Sequence, residues 1–203
     1  MKLLKNKVAI ILAGELDLNL NEYITSDMFV IAVDGGYNHL VAADIKPNLV
    51  IGDMDSITED VCVDTIKLDT VKDDTDFKCA INYVNDNITD CHIFIFGFGS
   101  LNRLDHVISN LSVIEENMTF ISANQKITTT NNSIELTSSE YKYISFFALS
   151  SINKFNLVGF KYPLDNYKLN PFDPLCVSNE LEGNSGKIDI SNGQLLIIES
   201  KES

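Results

Sequence analysis

A chain of 203 residues, 45% hydrophobic and 22% charged, without low-complexity tracts or a fixed repeat, is neither disordered nor collagen-like. It is long enough for one large domain or two modest ones with real cores. A net charge of -14, from 15 basic and 29 acidic residues, argues against a nucleic-acid partner, because no basic surplus exists to neutralise a phosphate backbone. Such acidity suits a cationic small molecule, or phosphates presented as metal complexes.

In chain order, "MKLLKNKVAIILAGE" imitates a signal peptide. Its apolar run, Val8 to Ala13, is too short for an h-region and is followed by Glu15, so it reads as a first strand. No later segment approaches the roughly 18 apolar residues of a membrane helix, so no membrane partner is expected. "KVAIILAG", "FVIAVDGG", "NLVIGD" and "HIFIFG" are continuous hydrophobic runs ended by Gly or Asp, as expected of strands buried on both faces of a parallel sheet. Between them, Phe77, Ala80, Ile81 and Val84 recur at helical spacing with Thr75 as N-cap, and Leu104, Val107, Ile108, Leu111 and Ile114 do the same. The alternation predicts a doubly wound, Rossmann-like α/β domain over residues 1–125.

After Asn124 the rhythm changes. "QKITTTNNS" is polar and turn-rich and reads as a linker; "EYKYISFFAL", "FNLVGFKYPL", "KIDI" and "QLLIIES" read as strands. Asn192-Gly193, between the last two, signals a hairpin, since that turn needs positive φ at both central positions. Residues 126–203 are therefore expected to form a small antiparallel β-domain, a sandwich or a barrel, with the sandwich preferred. Cys62, Cys79, Cys91 and Cys176 show no metal-ligand spacing, which points to reduced thiols and a cytoplasmic location. His39 and His92 are expected to be structural.

In an open parallel sheet, ligands bind beyond the carboxyl ends of the strands. The groups that would gather there are Gly14, Asp34-Gly35-Gly36, Gly52-Asp53-Met54-Asp55 and Gly97-Phe98-Gly99. Extended backbone would turn Asp53 and Asp55 to one side, and two carboxylates with nucleotide phosphates are how Mg²⁺ is usually held. The competing reading is a solvated Asx turn. "KDDTDF" opens a helix, and its Asp76 is either ordinary first-turn chemistry or a third carboxylate beside Asp53 and Asp55. In "GFGSLNRLDH", Arg103 either holds phosphate oxygens or pairs with Asp105 on the surface. No Walker or G-x-G-x-x-G fingerprint is present.

Taken in order, "AVDGG" (32–36), "GDMDSI" (52–57), "DDTD" (73–76), "NRLDH" (102–106), "GFKYPL" (159–164) and "VSNE" (177–180) resemble the motifs of the thiamine pyrophosphokinase family across nearly the whole chain. Leu101-Asn102 departs from the glycine pair expected before the arginine. The resemblance implies transfer of diphosphate from ATP to the hydroxyl of thiamine, giving thiamine diphosphate and AMP. It implies Mg²⁺ on Asp53, Asp55 and Asp76, and ATP on Gly14, Asp34, Gly35, Gly36, Thr75, Arg103 and His106. Asp105 would orient the hydroxyl or accept its proton, and Tyr162, Ser178 and Asn179 would meet thiamine. It further implies a homodimer with the active site shared between subunits. Two alternatives stay open on the residues alone: a metal-dependent D-x-D glycosyltransferase or phosphatase, and a nucleotide- or thiamine-binding module without turnover.

Overall fold

The computed structural model describes residues 6–58, 60–69 and 73–202. The chain divides into two compact units, Met1–Ala123 and Asn124–Ser203.

The first unit is built on strands β1 (Lys7–Ile11), β2 (Phe29–Val33), β3 (Leu49–Gly52), β4 (Thr65–Lys67), β5 (His92–Phe96) and β6 (Met118–Ile121). They pair in the order β4-β3-β2-β1-β5-β6, every pair parallel. Helices α1 (Gly36–Ala42), α2 (Asp76–Asn87) and α3 (Leu104–Leu111) belong to the same unit. The four predicted strands are present; Ile, Val, Ala and Leu side chains are buried on both faces of β1, β2 and β3, whereas in β5 Ile93, Ile95 and Phe96 are buried and His92 and Phe94 are half-buried. β4 escaped prediction, being a short edge strand with mostly exposed residues. So did β6, only four residues long. The order reverses at β1: β2 lies on one side and β5 on the other. This is a topological switch point, where an open α/β sheet carries a crevice beyond the carboxyl ends of its strands.

α2 carries the predicted stripe, with Phe77, Ala80, Ile81 and Val84 all buried. α3 does not follow its prediction fully. It ends at Leu111, none of its residues is buried, and Leu104 and Ile108 are 53% and 61% exposed. Periodicity reports that a helix is amphipathic, not what covers its apolar face. The apolar run of the opening segment forms β1, while residues 1–5 lie outside the described residues. Among the described residues, no helix is long and apolar enough to cross a membrane.

The second unit contains β7 (Gln125–Thr130), β8 (Ile134–Thr137), β9 (Tyr143–Ala148), β10 (Ile152–Val158), β11 (Leu164–Leu169), β12 (Ser185–Ile190) and β13 (Leu195–Ser200). They form two antiparallel arrays, β7-β13-β9 and β11-β10-β12-β8. Phe146 of β9, Phe155 of β10 and Phe160 are fully buried, and Phe146 meets each of the other two edge-on at 5.8 and 5.6 Å.

Two expectations are corrected here. "QKITTTNNS" is not a linker: residues 125–130 are strand β7, paired along its length with β13. Threonine is polar yet β-branched and packs well in strands, and the buried Thr129 hydroxyl is satisfied by donating to Leu195 O at 2.9 Å. Asn192-Gly193 does not close a hairpin either, because β12 and β13 lie in different arrays. Gly193 has φ +82°, whereas Asn192 is not among the positive-φ residues, so the two-residue hairpin turn is not formed. The Asn192 side chain instead accepts from Asn153 N at 3.0 Å and donates to Ser151 O at 2.9 Å, tying the turn to the start of β10.

Candidate active site

The loops leaving β1 and β5 lie against each other at the switch point. Leu12 N donates to Phe96 O at 2.9 Å, and Gly14 N donates to Gly97 O at 2.8 Å. A side chain at Gly14 would stand 2.5 Å from Gly99 N, so the close approach of these backbones requires glycine. Two side chains outside the loops brace them: His39 Nε2 lies 2.9 Å from Gly14 O, and Asn110 Nδ2 donates to Phe98 O at 2.7 Å. His92 bonds Thr119 Oγ1 at 2.8 Å, and burial holds its pKa below the ordinary value. Both histidines therefore act structurally, as expected.

The crevice is a cavity of about 580 Å³ lined by residues 12–15 and 97–100, together with Asp34, Thr75, Asp76, Arg103, His106, Ser109 and Asn110. Thr75 caps α2 by accepting from Lys78 N at 3.2 Å, which sets Asp76 in the first turn at the cavity wall. Of the predicted ATP residues, Gly14, Asp34, Thr75, Arg103 and His106 line it. Gly35 and Gly36 do not. Gly36 instead lets α1 start hard against β1, since an added Cβ would sit 2.0 Å from Ile11 O. Sequence reasoning missed Glu15, Ser100, Ser109 and Asn110. Ser109 and Asn110 follow His106 by three and four residues, so helical spacing alone could have found them.

The acidic residues are arranged differently from the expectation. Asp34, in left-handed conformation at φ 46°, accepts from Asp53 N at 3.0 Å through Oδ1. Only glycine fits at position 52, because a Cβ there would lie 1.7 Å from that same carboxylate oxygen. Burial raises the Asp34 carboxyl to about pKa 6, with the negative charges of Asp76 and Asp53 adding to the effect. Asp34 thus senses both neighbouring carboxylates. Asp55 does not stand beside Asp53 on an extended strand: Met54 has φ 71°, and Asp55 N donates to Asp53 Oδ1 at 3.2 Å, an Asx-type turn. Among the described residues, no three His, Cys, Asp or Glu side chains form a group that could hold a metal ion.

Arg103 is engaged with Asp105 by two hydrogen bonds, Nε to Oδ1 at 3.2 Å and Nη2 to Oδ2 at 3.1 Å, and also contacts His106. Asp105 is exposed, outside the cavity lining, and Arg103 holds its pKa below the usual carboxylate value. Leu101 to Arg103 form a 3-10 turn, and the positive φ values sit upstream at Gly97 and Gly99, 65° and 145°.

The second unit has its own cavity of about 430 Å³, lined by Tyr162, Ser178 and Asn179 with Leu157, Leu164, Leu175, Cys176 and Val177. All three predicted thiamine residues are therefore brought together. Asn179, 3% exposed, is heavily committed: Oδ1 accepts from Tyr162 N at 3.0 Å and Glu180 N at 2.9 Å, and Nδ2 donates to Tyr162 O at 2.9 Å. Ser178, at φ 56°, and Tyr162 are exposed.

Comparison with known proteins matches both units. Residues 20–128 fit the family described as "Thiamin pyrophosphokinase, catalytic domain", and residues 131–196 fit "Thiamin pyrophosphokinase, vitamin B1 binding domain". The chain belongs to the thiamine pyrophosphokinase family. A thiamine pyrophosphokinase of Bacillus subtilis is 30% identical over 200 residues, spanning 91% of this chain and 92% of the relative. The crystal structure of a Bacillus subtilis thiamine pyrophosphokinase superposes with a TM-score of 0.87 at 28% identity, covering 97% of this chain and 100% of the other. That of Geobacillus thermodenitrificans gives 0.84 at 27%, covering 97% and 98%. Within the thiamine pyrophosphokinase catalytic match lie Asp34, Asp53, Asp76 and Arg103, which carry most of the charge discussed above.

Proposed function

We infer that this chain transfers the diphosphate group of ATP to the hydroxyl of thiamine, giving thiamine diphosphate and AMP. The observation that carries the reading is that the catalytic-domain match contains Asp34, Asp53, Asp76 and Arg103, the charged residues gathered at and beside the switch-point cavity. In the reaction the thiamine oxygen bonds to the β-phosphorus, the bridge to the α-phosphorus breaks with its electron pair leaving on AMP, and the hydroxyl proton passes to solvent.

Little covalent work falls to the protein in such a transfer; positioning and neutralisation dominate. The glycine loops at Gly14, Gly97 and Gly99 allow phosphates close to the backbone. Arg103 and His106 reach phosphate oxygens once Arg103 exchanges Asp105 for substrate. We assign Asp105 to holding Arg103 ready, since a carboxylate with lowered pKa is a weak proton acceptor. Burial first, and then the charges of Asp76 and Asp53, raise the Asp34 carboxyl, and carboxylate oxygens beside a phosphate site are hard donors that fit a divalent cation. Mg²⁺ with ATP would meet Asp53 and Asp76, with Asp55 adjacent; it needs only one or two carboxylates because phosphates and water complete its shell. When bound, it would neutralise phosphate charge.

Tyr162, Ser178 and the remaining Asn179 N–H are assigned to thiamine. A homodimer with shared sites is part of the reading, supported by Tyr162, Phe172, Leu175 and Val177, which are 58%, 97%, 56% and 48% exposed in the second unit. Free thiols at all four cysteines fit a cytoplasmic location. Incubation with ATP, Mg²⁺ and thiamine, followed by mass spectrometry, tests the function: thiamine diphosphate and AMP in equal amounts are expected. Thiamine monophosphate with ADP, or thiamine binding without product, would refute it.

A further inference from the structure

Three consecutive residues of α1 reach two loops at the carboxyl edge of the sheet, Tyr37 and Asn38 the one that follows β3 and His39 the one that follows β1. Tyr37 Oη donates to Asp60 O at 3.2 Å, and His39 lies against Gly14 O. Asn38, between them, makes the most contacts. Its Nδ2 donates to Ser56 O at 2.9 Å, and its Oδ1 accepts from both Thr58 N and Thr58 Oγ1 at 3.2 Å. These bonds fasten the segment that begins with Asp53 and Asp55 to the helix that follows Asp34. Within that segment, Asp55 N reaches Asp53 Oδ1 at 3.2 Å and Ile57 N reaches Met54 O at 3.4 Å, the second of them long.

We propose that Asn38 is a positioning residue for diphosphate transfer, acting through the 53–58 turn to hold Asp53 and Asp55 where they meet metal-bound ATP. The inference rests on the reading of those aspartates given above. A turn held from its start by Asp34 and from its end by Asn38 is fixed at both sides of the two carboxylates. Such fixing lowers the ordering needed when a cation binds. A purely helical role for Asn38 would predict the opposite response to mutation, because alanine is the better helix former.

The test uses Asn38→Ala and Thr58→Val in the full chain, with Mn²⁺ binding in the presence of ATP read by electron paramagnetic resonance. Hydrogen exchange of the ligand-free protein is measured alongside. Asn38→Ala is expected to weaken Mn²⁺ binding about tenfold, equivalent to about 1.4 kcal/mol. Thr58→Val, which removes one of the three bonds, should weaken it about threefold. Exchange should quicken within 53–58 and stay unchanged in α1 and β2, and kcat should fall while the KM for thiamine stays within about twofold. Should Asn38→Ala fail to fold, Thr58→Val decides. Unchanged Mn²⁺ affinity in the variants, no Mn²⁺ binding by the wild type, or quickened exchange spread through α1 would each overturn the proposal. If Mn²⁺ binding follows the predicted order but the wild type makes no thiamine diphosphate, the functional reading falls and the positioning of the turn stands.

Discussion

Replacing Asp34 by asparagine should stabilise the ligand-free protein, and increasingly so as pH rises. Asp34 is half-buried, accepts from Asp53 N, and has a pKa raised from 3.8 to about 6 by burial and by the charges of Asp76 and Asp53. A carboxyl whose folded pKa lies above its unfolded value is protonated more readily in the native state, so stability falls as pH rises from about 4 to about 6 and stays low above that. A shift of roughly two units corresponds to about 3 kcal/mol, of which about 1.4 kcal/mol is lost between pH 5 and pH 8. Solvent screening of a half-buried group reduces that last figure to about 1 kcal/mol. Asparagine tolerates the left-handed φ of 46° and keeps the acceptor for Asp53 N, so the substitution removes charge without disturbing the turn. Urea unfolding of both proteins in metal-free buffer gives the answer. The stability gained by the variant should be about 1 kcal/mol larger at pH 8 than at pH 5, while turnover with Mg²⁺ and ATP drops. A variant no more stable than wild type at pH 8, or with the same difference at both pH values, would refute the electrostatic account of this site.

Gly36→Ala should cost about 3 kcal/mol, seen as a large fall in Tm, because its methyl group would collide with the Ile11 carbonyl at 2.0 Å and backbone cannot step aside cheaply. Arg103→Ala should lower turnover by roughly 10² to 10³, and Arg103→Lys should recover it only in part, since lysine keeps the charge but loses the two-pronged geometry; steady-state kinetics checks both. Asn179→Ala should destabilise the second unit by about 2–4 kcal/mol in chemical denaturation, because it leaves the backbone groups of Tyr162 and Glu180 without their amide partner.

What the sequence discloses here depends on how local each signal is. The four long apolar strands and the α2 stripe were legible because burial on both faces, or on one helical face, writes its period directly into the residues. Strand β7 was not legible, since Thr128, Thr129 and Thr130 look like loop until the partner strand β13 supplies acceptors such as Leu195 O. The Asn192-Gly193 turn misled because turn chemistry reports backbone geometry, while the array each flanking strand joins is decided by distant residues. At the site, the glycines and aspartates were identifiable by type. Their arrangement was not. The extended spacing of Asp53 and Asp55 suggested neighbours, but positive φ at Met54 folds them into a turn, and Asp34 takes the place beside Asp53. Asn38 and Asn110 carry no signal that distinguishes a loop brace from an ordinary helical asparagine.

The central claim is that both transferred phosphorus atoms move together to thiamine. ATP labelled with radioactive phosphorus at the β position, incubated with the enzyme, Mg²⁺ and thiamine, tests it most directly. Transfer of the intact diphosphate predicts that the β label leaves the nucleotide completely and appears in thiamine diphosphate at the rate AMP forms. Label remaining in ADP would contradict it.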